Sequence, residues 1–77
     1  MDEKEIKLSN GRVVTVKEMK YKDLIANATD DKLESAKSLI RLSTDLTDED
    51  FDNLSMKDGV LLQKTISDIN GLTENFL

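Results

Sequence analysis

The first hydrophobic positions of the chain alternate with polar ones around a single turn signal. The alternating apolar residues are Ile6, Leu8, Val14 and Val16. Between the two pairs lies Asn10-Gly11, and both of these residue types tolerate the positive φ angles of a two-residue hairpin turn. The pattern predicts a β-hairpin over residues 4–16, with strands 4–8 and 12–16 paired antiparallel. Its apolar face needs a cover, because an isolated hairpin is marginal in water.

Beyond residue 20 the hydrophobic spacing changes to the three- and four-residue intervals of helices. This spacing predicts helices over residues 21–28, 31–42, 48–54 and 56–70. We expect the helices to cover the hairpin. The stripes expected to face inward are Tyr21, Leu24, Ile25 and Ala28 in the first helix, Leu33, Ala36, Leu39 (or Ile40) and Ser43 in the second, and Leu62, Ile66 and Ile69 in the last.

Helix boundaries are marked by capping residues. Asp31, Thr47 and Ser55 can accept hydrogen bonds from the first free backbone N–H groups of a helix. Gly71 suits the position after a helix end, where a left-handed backbone is common. The sequence therefore predicts an α+β fold in which an N-terminal β-hairpin is followed by three to four helices and the whole is predominantly α. Residues 1–77 then form a single small domain, with 71–77 as a flexible tail.

The chain is 77 residues long and contains neither cysteine nor histidine. A single core of this size rarely supplies more than about 3–5 kcal/mol of stability. Disulfides and ordinary zinc sites, the common supplements in small domains, cannot be built from these residues. Association with other chains, including copies of itself as a homo-oligomer, is the supplement that remains.

The net charge of −5 is unevenly distributed along the chain. Residues 1–22 carry a net charge of +2 and residues 23–77 carry −7. The densest acidic stretch, uninterrupted by a base, consists of Asp45, Asp48, Glu49, Asp50 and Asp52. Because phosphate would be repelled there, a nucleic-acid partner is not expected.

The sequence offers little material for catalysis, cofactors or metal ions. Without histidine or cysteine the usual nucleophile–base pairs cannot form, and the three glycines stand too far apart for a phosphate-binding loop. The aspartates at 48, 50 and 52 match the start of a calcium loop, but Asn53 replaces its glycine and Gly59 its bidentate glutamate. We therefore expect no enzyme, cofactor or metal site, and the acids are interpreted as solvated residues at helix starts.

No apolar run approaches the roughly 20 residues that a membrane span requires. The first residues, MDEKE, lack the apolar region of a secretion signal. The expected location is therefore the cytoplasm, with no membrane partner.

The order of parts resembles a known family. A hairpin, a short helix of the Tyr-x-Asp-Leu type and an acidic loop precede segment 46–58, LTDEDFDNLSMKD, which leads into the last helix. This order is similar to that of the small tail assembly chaperones of Mu-like contractile-tailed phages, in which a Leu-Thr-x-Glu-x-hydrophobic-x-x-Leu-x-x-x-Asp stretch precedes the last helix. The resemblance covers most of the chain.

The resemblance implies a non-catalytic function in a bacterial host cell, namely binding the helical tape-measure protein before the tail tube polymerises around it. Two other classes stay open. One is a small acidic inhibitor or antitoxin-like protein that masks a basic partner, and the other is a structural subunit of a larger assembly. A neighbouring gene for a very long helical protein would favour the chaperone, and one for a small basic toxin would favour the inhibitor.

The partner-binding surface is predicted on the last helix and its acidic approach. Val60 and Leu61 make the start of this helix apolar over more of its circumference than one core-facing side requires, and Leu72, Phe76 and Leu77 continue the excess. The acids between 45 and 52 would meet the lysines and arginines of a partner helix. The alternative is that Val60 and Leu61 pack on the hairpin and that the tail binds nothing.

Overall fold

A computed structural model of the protein describes residues 3–72. The elements are, in chain order, β1 (Glu3–Lys7), β2 (Val13–Lys17), α1 (Tyr21–Ala26), α2 (Lys32–Ser43), α3 (Asp48–Asp52) and α4 (Met56–Asn70). An antiparallel hairpin followed by four helices, with about 54% helix and 14% strand, confirms the predominantly helical α+β fold. The bounds of α4 match the prediction, whereas α1 and α3 each end two residues early, α2 is shifted by one residue, and the strands are 3–7 and 13–17.

The hairpin has the predicted register but a different turn. Lys4 pairs with Val16, and the Leu8 N–H donates to the Arg12 carbonyl at 2.8 Å, so three residues, not two, form the loop. Within the hairpin only Gly11 has a positive φ, of 90°, and the prediction of positive φ at Asn10 is wrong. A turn followed by one left-handed residue fits the twist of the strands without a second positive φ. The Asn10 Oδ1 is then free to accept the Arg12 N–H at 2.9 Å.

The core lies between one face of the hairpin and the inner face of α4. Val14, Val16 and Leu62 are fully buried, and Ile66 is 1% exposed. The core also includes Ile6, Leu8, Ile40 and Leu46, with Met19, Phe51, Leu54 and Ile69 packed against it. The alternation of the strands therefore buries the predicted face, and the cover that the hairpin requires is mainly α4.

The predicted inward stripes of α1 and α2 are partly wrong. Tyr21 is 77% exposed and Ile25 is 54% exposed, because α1 packs against α2 and leaves much of its apolar face open. In α2, Leu33 is 59% exposed, and the buried residues, Leu39, Ile40 and Ser43, all lie in the second half of the helix. Short amphipathic segments indicate an apolar face, but only the packing decides whether that face is covered.

Local hydrogen bonds set the helix boundaries as predicted. The side chains of Asp31, Thr47 and Ser55 accept backbone N–H groups at the starts of α2, α3 and α4. Gly71 closes α4 with a φ of 68°, and the Leu72 N–H donates to the Ser67 carbonyl at 2.8 Å. This bond is part of a Schellman-type helix end. Residues 71 and 72 therefore belong to the cap of α4, and the rest of the predicted tail, residues 73–77, lies outside the described residues.

The short helix α3 is attached to α2 by mixed contacts. Phe51 packs partly buried against the core, and the Lys37 Nζ lies 5.8 Å from the centroid of its ring. The same ammonium group is 3.8 Å from the Asp52 carboxylate, and Arg41 lies 2.8 Å from Asp48. A five-residue helix has little stability of its own, so these contacts and the Thr47 cap position it.

Two neighbouring positions of α4 test this description of the core. Leu62→Ala removes a fully buried side chain, so we expect a loss of about 2–5 kcal/mol in the free energy of unfolding. Val60→Ala, in the same helix but 52% exposed, should change it by less than about 0.5 kcal/mol. Urea titration followed by far-UV circular dichroism measures both, and equal effects would contradict the assigned orientation of α4.

Candidate protein-binding surface

Most residues of the acidic stretch are bonded to bases of the same chain. Asp48 binds Arg41 at 2.8 Å, Asp50 binds Arg12 at 3.0 Å, and the Asp52 carboxylate lies 3.8 Å from Lys37. Arg12 follows the hairpin loop, and the other two bases lie on α2. The three aspartates therefore connect α3 to two other parts of the fold.

Two of these carboxylates, Asp48 and Asp50, are favoured in their charged forms. The hydrogen bond from Arg41 lowers the pKa of Asp48 below its usual value. The backbone N–H of Thr47 lowers the pKa of Asp50, with smaller contributions from the Thr47 hydroxyl and Arg12. Asp45 and Glu49 are exposed and form neither an ion pair nor a side-chain hydrogen bond within residues 3–72. Of the predicted acids, these two are the most available to a partner.

The predicted apolar residues of α4 do lie at the surface. Val60 is 52% exposed and Leu61 is 37% exposed. At about 100° per residue, Val60 lies nearly opposite the buried Leu62, Thr65 and Ile66. One turn earlier Met56 is 84% exposed and shares this outer side. Its spacing of four residues from Val60 could have identified it in the sequence.

The two halves of the predicted surface belong to different parts of the fold. Three of the acids pair with bases on α2 or with Arg12 after the hairpin loop. Val60, in contrast, points away from the core. Leu72 is partly buried at the end of α4. Phe76 and Leu77 lie outside the described residues. Met56, Val60 and Leu61, which we call the outer α4 face, are therefore the apolar part of the candidate surface.

A groove between α1 and α2 was not identified from the sequence. The groove has a volume of about 550 Å³. Its α1 side is lined by Tyr21, Leu24 and Ile25, and its α2 side is lined by Ser38 and Leu39. The sequence signal was present as the apolar stripe of α1. The stripe is predicted to cover the hairpin but borders this groove instead, because periodicity cannot show which surface a stripe meets.

Comparison of the chain with protein-family models, with curated proteins and with solved structures found no match. The family resemblance therefore rests on the order of parts and on segment 46–58 alone. Within residues 3–72 the acidic side chains do not form a group of three or more that could hold a metal ion. In the same range, no helix is both long enough and apolar enough to cross a membrane.

Asp58, the last residue of segment 46–58, has a structural role. Its Oδ1 accepts the Ser9 N–H at 3.0 Å and its Oδ2 accepts the Ser9 hydroxyl at 2.7 Å. At the other end of α4, the Asn70 Oδ1 accepts the Met19 N–H at 2.9 Å. These bonds fasten both ends of the hairpin to α4, because Ser9 lies in its loop and Met19 follows β2. Both oxygens of the Asp58 carboxylate therefore accept hydrogen bonds within the fold.

The Asp58 bonds predict a pH dependence of stability. Donation by the Ser9 hydroxyl and then by the Ser9 N–H lowers the pKa of Asp58 in the folded protein. Their contribution is complete above the unfolded carboxyl value of about 3.9 and is lost as the pH falls from there through the folded pKa. Asp58→Asn should lower the urea midpoint at pH 7 and reduce the loss of stability between pH 5 and pH 2.

Asp45→Asn is the matched control, because its exposed carboxylate makes no such bond within the described residues. This variant should keep the parent's urea midpoint at pH 7 and its dependence on acid. Asp58→Asn with the parent's full acid dependence would show that the carboxylate does not hold the hairpin loop.

Proposed function

We propose that this chain is a non-catalytic protein-binding module that acts as a phage tail assembly chaperone. Its partner is a helical tape-measure protein, which it binds in the cytoplasm of a bacterial host cell before the tail tube polymerises. The observation that supports binding is the outer α4 face, where Met56, Val60 and Leu61 are exposed although the opposite side of the same helix forms the core. Clustered exposed apolar residues on a small domain are typical of an interaction site.

The chemistry of this face suits a helix as the partner. Met56 and Val60 lie one turn apart, and Leu61 widens the strip on the flank of α4. An amphipathic helix can lay its own apolar side chains along such a strip. Methionine adapts its shape to different neighbours, which suits binding along a long and repetitive partner. Asp45 and Glu49 would attract basic residues of the partner and increase the association rate more than the affinity.

Segment 46–58 supports the proposal through the fold. Leu46 is buried, Thr47 caps α3, Leu54 packs on the core and Asp58 holds the hairpin loop. Each of these positions in the family-like motif thus has a structural task. A protein with the same motif would hold its last helix in place in the same way. Exposed residues of that helix, such as Val60, then remain to contact the partner.

The alternative, an acidic inhibitor or antitoxin-like protein, has less support. Such a protein needs free carboxylates to mask a basic partner, and Asp48, Asp50 and Asp52 are already paired with bases of the chain. A basic partner that bound to these three carboxylates would have to break their ion pairs or share the carboxylates with the bases of the chain. Within the acidic stretch this leaves the two charges of Asp45 and Glu49, which suit steering better than masking.

Co-expression with the product of a neighbouring gene tests the proposed function, which expects that product to be a very long helical protein. The parent should be captured with that protein, and Val60→Ser combined with Leu61→Ser should reduce the captured fraction at least about tenfold, since both apolar contacts are lost. Val13→Ser is the matched control, because Val13 is 58% exposed on the outer side of the hairpin. Thermal melting by circular dichroism checks that all three proteins remain folded.

Capture that survives the double substitution but disappears on Val13→Ser would move the site to the hairpin. Capture that depends on Asp45 and Glu49 alone, together with a small basic protein as the neighbouring gene product, would favour the inhibitor function.

A further inference from the structure

The open side of α1 is an apolar surface that the proposed function leaves unused. Tyr21 is 77% exposed, Ile25 is 54% exposed, and both border the groove of about 550 Å³ between α1 and α2. Leu39 lies buried at the α2 side of this groove. We refer to Tyr21, Leu24, Ile25 and the groove as the α1 face. It belongs to different helices from the outer α4 face.

The charges around the α1 face are arranged in a self-complementary way. Lys20 and Lys22 stand at the start of α1, with Asp23 in its first turn, whereas Asp30 and Lys32 line the groove beyond its other end. The side chains of Lys20, Lys22 and Asp30 are exposed and form neither ion pairs nor hydrogen bonds within residues 3–72. When two copies meet about a two-fold axis with their α1 helices antiparallel, the end of each helix that carries Lys22 lies beside the end of the other that carries Asp30.

The shape of the α1 face is also self-complementary. In a two-fold contact the same patch serves both copies, so a projecting group must lie beside a concave one. Tyr21 projects from α1 and also lines the groove. Its ring in one copy can therefore enter the groove of the other copy, and the reverse contact forms at the same time. A core of this size also gains stability from association, which adds buried apolar area.

We propose that the α1 face is a homodimer interface, in which Tyr21 of each copy fills the α1–α2 groove of the other and Lys22 of each copy pairs with Asp30 of the other. This interface leaves Met56, Val60 and Leu61 free, so one dimer presents two outer α4 faces. Dimer formation through the α1 face does not depend on which partner the outer α4 faces bind.

The first experiment measures the mass of the purified protein. Sedimentation equilibrium between about 1 μM and 1 mM should show a rise from 8.7 kDa towards twice that mass. Tyr21 is the sole tyrosine and the chain has no tryptophan, so its fluorescence reports this interface alone. Quenching by acrylamide should fall as the dimer forms. A protein that stays monomeric up to 1 mM with a freely quenched Tyr21 would overturn the proposal.

Charge exchange provides the second experiment. Lys22→Glu or Asp30→Lys replaces two attractions in each dimer by two repulsions, so each should raise the dissociation constant about tenfold at low salt. A mixture of the two single variants restores both attractions in the mixed dimer. It should therefore dimerise within about threefold of the parent. An effect on folding within one chain could not be rescued by mixing.

Val60→Ser is the control, because it alters an exposed apolar residue of α4 and should leave the dissociation constant unchanged. Tyr21→Ser should abolish dimers over the whole range while circular dichroism shows the parent's helix content. Loss of dimers on Val60→Ser, or no rescue in the mixture of charge variants, would show that the copies do not meet through the α1 face.

Discussion

The fold depends on the packing of one hairpin face against α4. A two-stranded sheet is not stable in water by itself, and here Val14 and Val16 become fully buried against a helix whose Leu62 is equally buried. Two polar contacts fix this packing, one at each end of α4. Asp58 binds Ser9 in the hairpin loop, and Asn70 binds the Met19 N–H after β2. Sliding of the hairpin along α4 would break both contacts and leave part-buried polar groups unpaired.

This packing decides which surfaces remain for binding. Because the inner side of α4 is occupied by the core, the apolar residues on its other side are exposed, as Val60 is. The acids of α3 are used differently, since Asp48, Asp50 and Asp52 connect this short helix to α2 and to the end of the hairpin loop. The negative charge of the chain thus stabilises the fold as well as shaping its surface. The α1 helix packs on α2 away from the hairpin, which leaves a second apolar face in a separate part of the molecule.

Local chemistry explains the parts of the fold that could be predicted. The caps at Asp31, Thr47, Ser55 and Gly71 involve residues close in sequence, and the structure confirms each of them. The buried side of the hairpin also followed from alternation alone. The turn was predicted less well, because both a two-residue and a three-residue loop can place Asn10-Gly11 at the tip of a hairpin. The exposure of Val60 followed from the surplus of apolar residues on α4, whereas that of Met56 was overlooked.

The sequence by itself determined where the elements lie to within one or two residues and which side of each strand is apolar, because these properties arise from interactions between residues a few positions apart. Only the tertiary structure decided that α4 and not α1 covers the hairpin, and that most of the acidic stretch is paired within the chain. It also revealed the bonds of Asp58 to Ser9 and of Asn70 to Met19, which join residues 49 and 51 positions apart. No local pattern encodes such pairings, since they exist only after the hydrophobic faces have brought the elements together.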